Sequence, residues 1–317
     1  MNIGLIDVDG HNFPNLALMR ISSWHKAHGD TVEWWWGFGD YDIVYKSKVF
    51  SDAYSTDMPD PINANKIVKG GTGYCIQLEN GIEVYHKEYD SKLPAEIEKC
   101  FPDYSIYPQY DFAVSKTSEG CPRGCSFCHV QAKEGCKSIK TADVSSFWLP
   151  GMQKSISVCD PNILACRDKE DLLMQYRDTG AYIDYNQGLD IRLMTDNDAQ
   201  IINQTKIKNL HFAWDNPDED LRERFEMFAD RRGKAKTSHG HNGTVFCLTN
   251  FGDYTVQEHI DRLLYRVYFL RDNGYKPFVM VYNKPSAPKD ILKVQRWVNN
   301  PFVFYSTNKY EDYDCKR

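Results

Sequence analysis

The feature that most limits what this chain can be is Cys121-Pro-Arg-Gly-Cys125-Ser-Phe-Cys128, three thiols spaced C-x3-C-x2-C within eight residues. One tight loop with that spacing can turn three sulfurs onto a single metal centre. Structural zinc takes four ligands, commonly from two separated C-x2-C-type pairs, and no second pair follows here. A ferredoxin cluster needs a fourth cysteine at a recognisable spacing. The next one, Cys136, lies eight residues on and has no C-x2-C partner. Three thiolates on an iron–sulfur cubane leave one iron without a protein ligand, and an open metal position can bind a small molecule.

With Phe127 just before the third thiol, the motif resembles that of the radical SAM superfamily. The resemblance implies a [4Fe-4S] cluster on Cys121, Cys125 and Cys128, with S-adenosylmethionine (SAM) chelated at the free iron through its amino and carboxylate groups. One electron then splits the sulfonium to methionine and a 5′-deoxyadenosyl radical, which abstracts hydrogen from a substrate. The cofactor carries the hard chemistry, and the protein orients it. An electron donor such as flavodoxin or ferredoxin is implied as a partner. The same resemblance places Phe127 beside the adenine or the cluster.

At 317 residues, 42% apolar and 14% aromatic, the chain has material for two domains. A net charge of -6 argues against non-specific coating of nucleic acid. No apolar run approaches the ~20 residues of a membrane span, and the first residues lack the basic start and cleavage site of a signal peptide. Seven of the ten cysteines lie outside the motif without regular spacing, so they read as buried or incidental thiols. A reduced, cytoplasmic and anaerobic setting is the expectation.

The expected fold is α/β: a small Rossmann-like domain over 1–95, then an open (β/α)6 partial TIM barrel over 96–317. In the first part, the apolar run 2–7, a helical pattern from Leu16 to Trp24 and a strand at 31–36 make a βαβ start. Strands at 41–45, 66–71 and 81–85 follow, then a short helix over 93–99. Trp34-Trp35-Trp36 would turn rings to both faces of its strand. The order of strand, Asp-rich loop, helix and a strand ending in Gly70-Gly71 resembles the cobalamin-binding domain that precedes the cluster in one large radical SAM subgroup. Asp9-x-His11-x-x-Pro14 is similar to that domain's D-x-H-x-x-G motif, with proline in place of the glycine. The expectation is a scaffold that has kept the fold without its corrinoid.

From residue 112 strands and helices alternate, with strands at 112–116, 155–159, 182–185, 210–214, 244–249 and 278–282. In barrels of this kind, chemistry sits at the carboxyl ends of the strands. Asp160 and Asn162 stand where the family holds the SAM ammonium. Gln187, Asp190 and Arg192 offer hydrogen bonds to a ribose and a cation to a carboxylate, with an Asp190–Arg192 ion pair as the plain alternative. Asn250 to Asp253, with Thr255 and Glu258, resembles the family's adenine-side segment, though several glycines and a proline usual there are missing. Asp215, Tyr282 and Asn283 are substrate candidates. His239 and His241 could ligate a metal, but a surface loop over 231–243 is favoured.

Two other functions remain open from the sequence: a cobalamin-dependent radical SAM methyltransferase, and a non-catalytic iron–sulfur redox sensor. The substrate class is equally open among small metabolites, nucleotides and peptides.

Overall fold

The computed structural model describes residues 1–10, 12–233 and 240–314. His11, His239 and Cys315 lie outside the described residues. The chain divides into two compact units, one made of Met1–Ser115, Gly120–Cys136 and Ala142–Lys154, the other of Lys116–Glu119, Lys137–Thr141 and Ser155–Arg317.

In the first unit, β1 (Asn2–Asp7) leads through α1 (Leu16–Ala27) to β2 (Thr31–Trp34), followed by β3 (Tyr41–Ser47) and β4 (Ala64–Gly70). The four strands are all parallel, in the order β2-β1-β3-β4. Alternation along β1 sorts the core: Ile3 and Leu5 pack with Leu18 and Ile21 of α1, while Ile6 packs with Tyr41 and Val44. The tryptophans divide as alternation requires, Trp34 joining the α1 side, Trp35 the other, and Trp36 lying exposed. Asn15 caps α1 by accepting from the Leu18 N–H at 3.2 Å.

Parallel strands of one sheet normally need a crossover of a dozen or more residues, yet only residues 35–40 separate β2 from β3, which flank β1 on opposite sides. β2 therefore ends at Trp34, two residues short of the expected strand, and the chain turns back through Gly37 and Gly39 without a helix. After β4 come α2 (Thr72–Cys75), the antiparallel hairpin β5 (Ile76–Glu79) and β6 (Ile82–Tyr85), and α3 (Ala95–Glu98). The expected edge strand at 81–85 is thus a hairpin arm, and the helix expected over 93–99 is one turn. β7 (Phe112–Ser115) and α4 (Val130–Glu134) complete the unit. A 3-10 turn over Val144–Ser146 follows.

Within the second unit, β8 (Ser118–Glu119) and β9 (Ile139–Lys140) form a short antiparallel pair. β10 (Ser155–Val158), β11 (Tyr182–Leu189), β12 (Ile207–Ala213), β13 (Thr244–Thr249) and β14 (Lys276–Val281) then run parallel in sequential order. They alternate with α5 (Lys169–Asp178), α6 (Asp196–Gln204), α7 (Arg222–Arg232), α8 (Val256–Asp272) and α9 (Lys289–Asn299), and α10 (Pro301–Ser306) follows. One face carries the aromatic core: Tyr185 meets Tyr176 of α5, Phe212 meets Phe225 and Phe228 of α7, and Trp214 meets Tyr265 and Phe269 of α8. Period-two alternation turns the intervening residues to the opposite face. β11 runs on to Leu189, so Asn186 to Gly188 belong to the strand rather than to the loop beyond it. Register shifts against β12 and the positive φ of Gly188 (98°) accommodate the extra length. Among the described residues no helix is long and apolar enough to cross a membrane.

Candidate functional site

The three-thiol loop belongs to the first unit. Its backbone is closed by Cys121 N–H donating to the Gly135 carbonyl at 3.1 Å and Cys128 N–H donating to that of Cys125 at 2.9 Å. Gly120 N–H donates to the Glu134 carboxylate at 3.2 Å. Gly124 sits at φ 57°, a conformation that a β-carbon disfavours, which accounts for glycine between the first two thiols. α4 follows directly and is anchored by Lys133, whose ammonium lies 2.5 Å from Asp90 and 3.8 Å from the Cys75 sulfur. Cys121, Cys125 and Phe127 are half-buried and Cys128 is exposed.

None of the nine described cysteines is in a disulfide. The donor set, three soft thiols on a loop pinned through its backbone, suits an iron–sulfur cluster. Among the described residues no three His, Cys, Asp or Glu side chains are grouped to hold a metal ion. Thiolates around a cubane stand farther apart than around one ion, so that observation and a cluster are compatible. Cys75, Cys166 and Cys247 are buried, and burial pushes the Cys159 and Cys247 thiols up to about 12, so these remain protonated.

At the carboxyl edge of the first unit's sheet, strand order reverses between β1 and β3, the place where open α/β sheets take ligands. The Asp9 carboxylate accepts from the Val49 and Phe50 N–H groups at 2.6 and 3.4 Å, tying the loop after β1 to the segment after β3. Phe13, Val49 and Phe50 are exposed in these two segments. A β-carbon on Gly71 would come 2.3 Å from the Lys48 carbonyl oxygen, and one on Gly73 2.2 Å from that of Phe50. These glycines let two backbones meet, so they are explained by packing.

In the second unit Asp160 is buried, and its carboxylate accepts from Thr117 N–H at 3.1 Å, Thr117 Oγ1 at 2.8 Å and Ser118 Oγ at 2.6 Å. It holds the segment that enters the thiol motif in sequence. Asn162 is buried, donates from Nδ2 to Asp190 at 3.4 Å, and accepts Ser138 Oγ on its carbonyl at 3.0 Å. Asp190 receives Arg192 Nε at 2.6 Å, and the Arg192 guanidinium reaches Glu219 at 2.8 Å. The Asp190–Arg192 ion pair is therefore present, with Glu219 as a further carboxylate that no spacing signalled. Gln187 is exposed. Asn250 has φ 61° and donates to the Tyr282 carbonyl at 2.8 Å. Asn283 is also left-handed, at φ 43°. Thr255 and Glu258 form the capping box of α8.

Two groups escaped the sequence reading. Arg266 of α8 is 1% exposed and donates to the carbonyls of Trp214 (2.5 Å), Asp215 (3.2 Å) and Leu248 (3.0 Å), bracing the ends of β12 and β13 from beneath. Burial raises the Asp215 carboxyl, which accepts from Leu248 N–H at 3.1 Å, and lowers the Arg266 guanidinium. Arg266 lies on the apolar stripe of α8 with Leu263, Val267 and Leu270, a signal the sequence does carry. His211 and Asp184, on the face turned from the helices, carry no such signal.

Burial also raises the Asp160 carboxyl despite its three donors. A carboxyl raised on folding binds its proton more tightly in the native state, so its ionisation costs stability above the native value. That cost is relieved as pH falls through the raised value toward the ordinary aspartate range. Asp160→Asn removes this titration, and thermal melts across mildly acidic pH should show a flatter dependence than the parent's.

No family model matches the sequence, and no curated protein matches it. Among solved structures, the chain is similar to the radical S-adenosylmethionine methyltransferase TsrM from Kitasatospora setae with cobalamin and [4Fe-4S] cluster bound. The TM-score is 0.62 at 10% identity over 88% of this chain and 74% of that one. The same enzyme with tryptophan substrate and the SAM analogue aza-SAM bound aligns at TM-score 0.61 and 10% identity, over 88% and 72%. At that identity the likeness is one of fold.

Proposed function

We propose that this chain is a radical SAM enzyme of the kind that pairs a cobalamin-binding-like part, residues 1–95, with a cluster-bearing part, residues 96–317, built as an open (β/α)6 arc, and that it transfers a methyl group. The observation that carries the reading is the three-thiol loop, set in a chain whose fold over 88% of its length resembles a cobalamin- and cluster-bound methyltransferase. Cys121, Cys125 and Cys128 would hold the [4Fe-4S] cluster, which would supply an open iron for SAM and the electron for its cleavage. Phe127 would pack beside it. Asn162, Asp190 and Arg192 would supply polar contacts to SAM, with Gln187 and Asn250 at neighbouring strand ends. Asp160, whose oxygens already hold Thr117 and Ser118, serves by positioning the segment before the motif.

The corrinoid is favoured here beyond what the sequence suggested. The strand order, the Asp9 clasp and the exposed apolar side chains of Phe13, Val49 and Phe50 at the usual ligand edge support this reading. Cobalamin would supply a methyl carrier there. A one-electron donor of the flavodoxin or ferredoxin type and a cytoplasmic, anaerobic setting complete the proposal. In the test, anaerobically reconstituted protein is mixed with cobalamin, reductant and methyl-deuterated SAM. Corrin absorbance that stays with the protein through gel filtration, with label recovered in methylcobalamin, supports methyl transfer. Deoxyadenosine formed without retained corrin returns the reading to a radical enzyme that needs only SAM. Neither product nor SAM binding on an intact cluster leaves a redox sensor.

A further inference from the structure

We propose that the face of the second unit's sheet turned away from α5, α7 and α8 binds a planar heteroaromatic ring bearing an N–H or amino group, and that His211 and Phe246 recognise it. Asp184 and Asn209 are register partners on adjacent strands, and Asn209 Nδ2 donates to Asp184 Oδ2 at 2.8 Å. The other oxygen, Oδ1, is buried and accepts no hydrogen bond from any described residue. It lies 3.8 Å from His211 Nδ1. That nitrogen is 3.0 Å from the Tyr185 carbonyl, which can only accept, so Nδ1 carries a proton, and in that tautomer Nε2 is the acceptor. The His211 ring stacks on Phe246 with planes 6° apart and centroids 5.5 Å apart. Phe278, the register partner of Phe246, stands edge-on to it at 89°.

The face thus joins an aromatic platform to the Nε2 acceptor, with the Asp184 carboxylate beside the ring, and offers no cation of its own among these residues. Such an acceptor selects a ligand that donates, and the platform selects one that is flat. An apolar ring of the same shape would leave Nε2 unpaired, a loss worth about tenfold in affinity. His211 shows 17% of its side-chain area and Asp184 18%, so a ligand laid on the sheet meets both side chains, and the carboxylate must turn for the buried Oδ1 to meet it.

That the ring belongs to the substrate rests on the proposed radical SAM reading; that the face binds it does not. Cluster-loaded protein without reductant is titrated calorimetrically with indole, adenine and benzothiophene, the last having the shape of indole without its N–H. Indole or adenine should bind at least about tenfold tighter than benzothiophene, and whichever of the two is preferred separates an indole-type from a nucleobase-type substrate. His211→Phe keeps a ring on the platform and should abolish the preference. Should that variant lose its cooperative melt, Asp184→Asn serves instead and should cut the preference at least about threefold. Equal binding of all three rings, binding of none, or a preference that survives these substitutions overturns the proposal. Cluster absorbance recorded on the same sample shows that such a failure is not a failure of the cluster reading.

Discussion

Cys125→Ala protein should fold and melt like the parent, yet come out of anaerobic reconstitution without the broad iron–sulfur absorbance and without SAM-dependent product. Two bonds that shape the loop run through its backbone, Cys121 to Gly135 and Cys128 to Cys125, and neither of these two uses the Cys125 sulfur. α4 is held separately by Lys133 on Asp90. The substitution therefore removes a ligand and leaves the scaffold, and two remaining thiolates do not retain a cubane. Activity should fall to background rather than by a graded factor, because the cofactor carries the chemistry. Cys136→Ala is the informative contrast. Cys136 is exposed and eight residues beyond Cys128, and its loss should leave iron content and absorbance at parental values. Circular dichroism, iron analysis and product assay on the three proteins check both statements. A Cys125→Ala protein that retains four irons would remove the assignment.

The second large effect is on stability. Arg266→Met should lower the unfolding free energy by about 3 kcal/mol or more, read from urea titration. The guanidinium is 1% exposed and serves the carbonyls of Trp214, Asp215 and Leu248, besides donating to Arg262 O at 3.2 Å within α8. Methionine fills similar volume but donates nothing, so those strand-end carbonyls lose their partner in a buried setting. The charge also offsets Asp215, whose carboxyl is already raised by burial; without Arg266 it should rise further. Asp215→Asn in the same background should therefore recover part of the loss. A near-parental stability for Arg266→Met would mean that water reaches these carbonyls.

How much of this was legible can be judged residue by residue. The thiol loop needed only its spacing, because chemistry that demands three sulfurs on one centre leaves a local pattern. The strands from 112, 155, 182 and 244 were legible from apolar runs with turn residues between them, and those read from 210 and 278 begin at 207 and 276. The tight return between β2 and β3 was not legible, since a connection of that length ordinarily joins antiparallel strands. Long-range pairing is what the chain does not display. Asp184 gains its meaning from Asn209 and His211, more than twenty residues later, through strand register. Glu219 joins Arg192 across 27 residues by way of two loops. Asp160 read as a ligand for SAM because it stands at a strand end, but its burial and its donors come from Thr117 and Ser118 some forty residues earlier. Arg266 is the intermediate case, a cation on an apolar helical stripe that a closer reading of α8 would have caught.

The account's central claim is a cluster held by three thiolates with one iron open to SAM. Electron paramagnetic resonance of the dithionite-reduced, reconstituted protein, recorded before and after adding SAM, tests it most directly. A ligand arriving on the open iron should shift the g-values of the reduced [4Fe-4S] signal, and the shift should be absent when methionine-free adenosine replaces SAM. A reduced-cluster spectrum that SAM leaves unchanged would contradict the account.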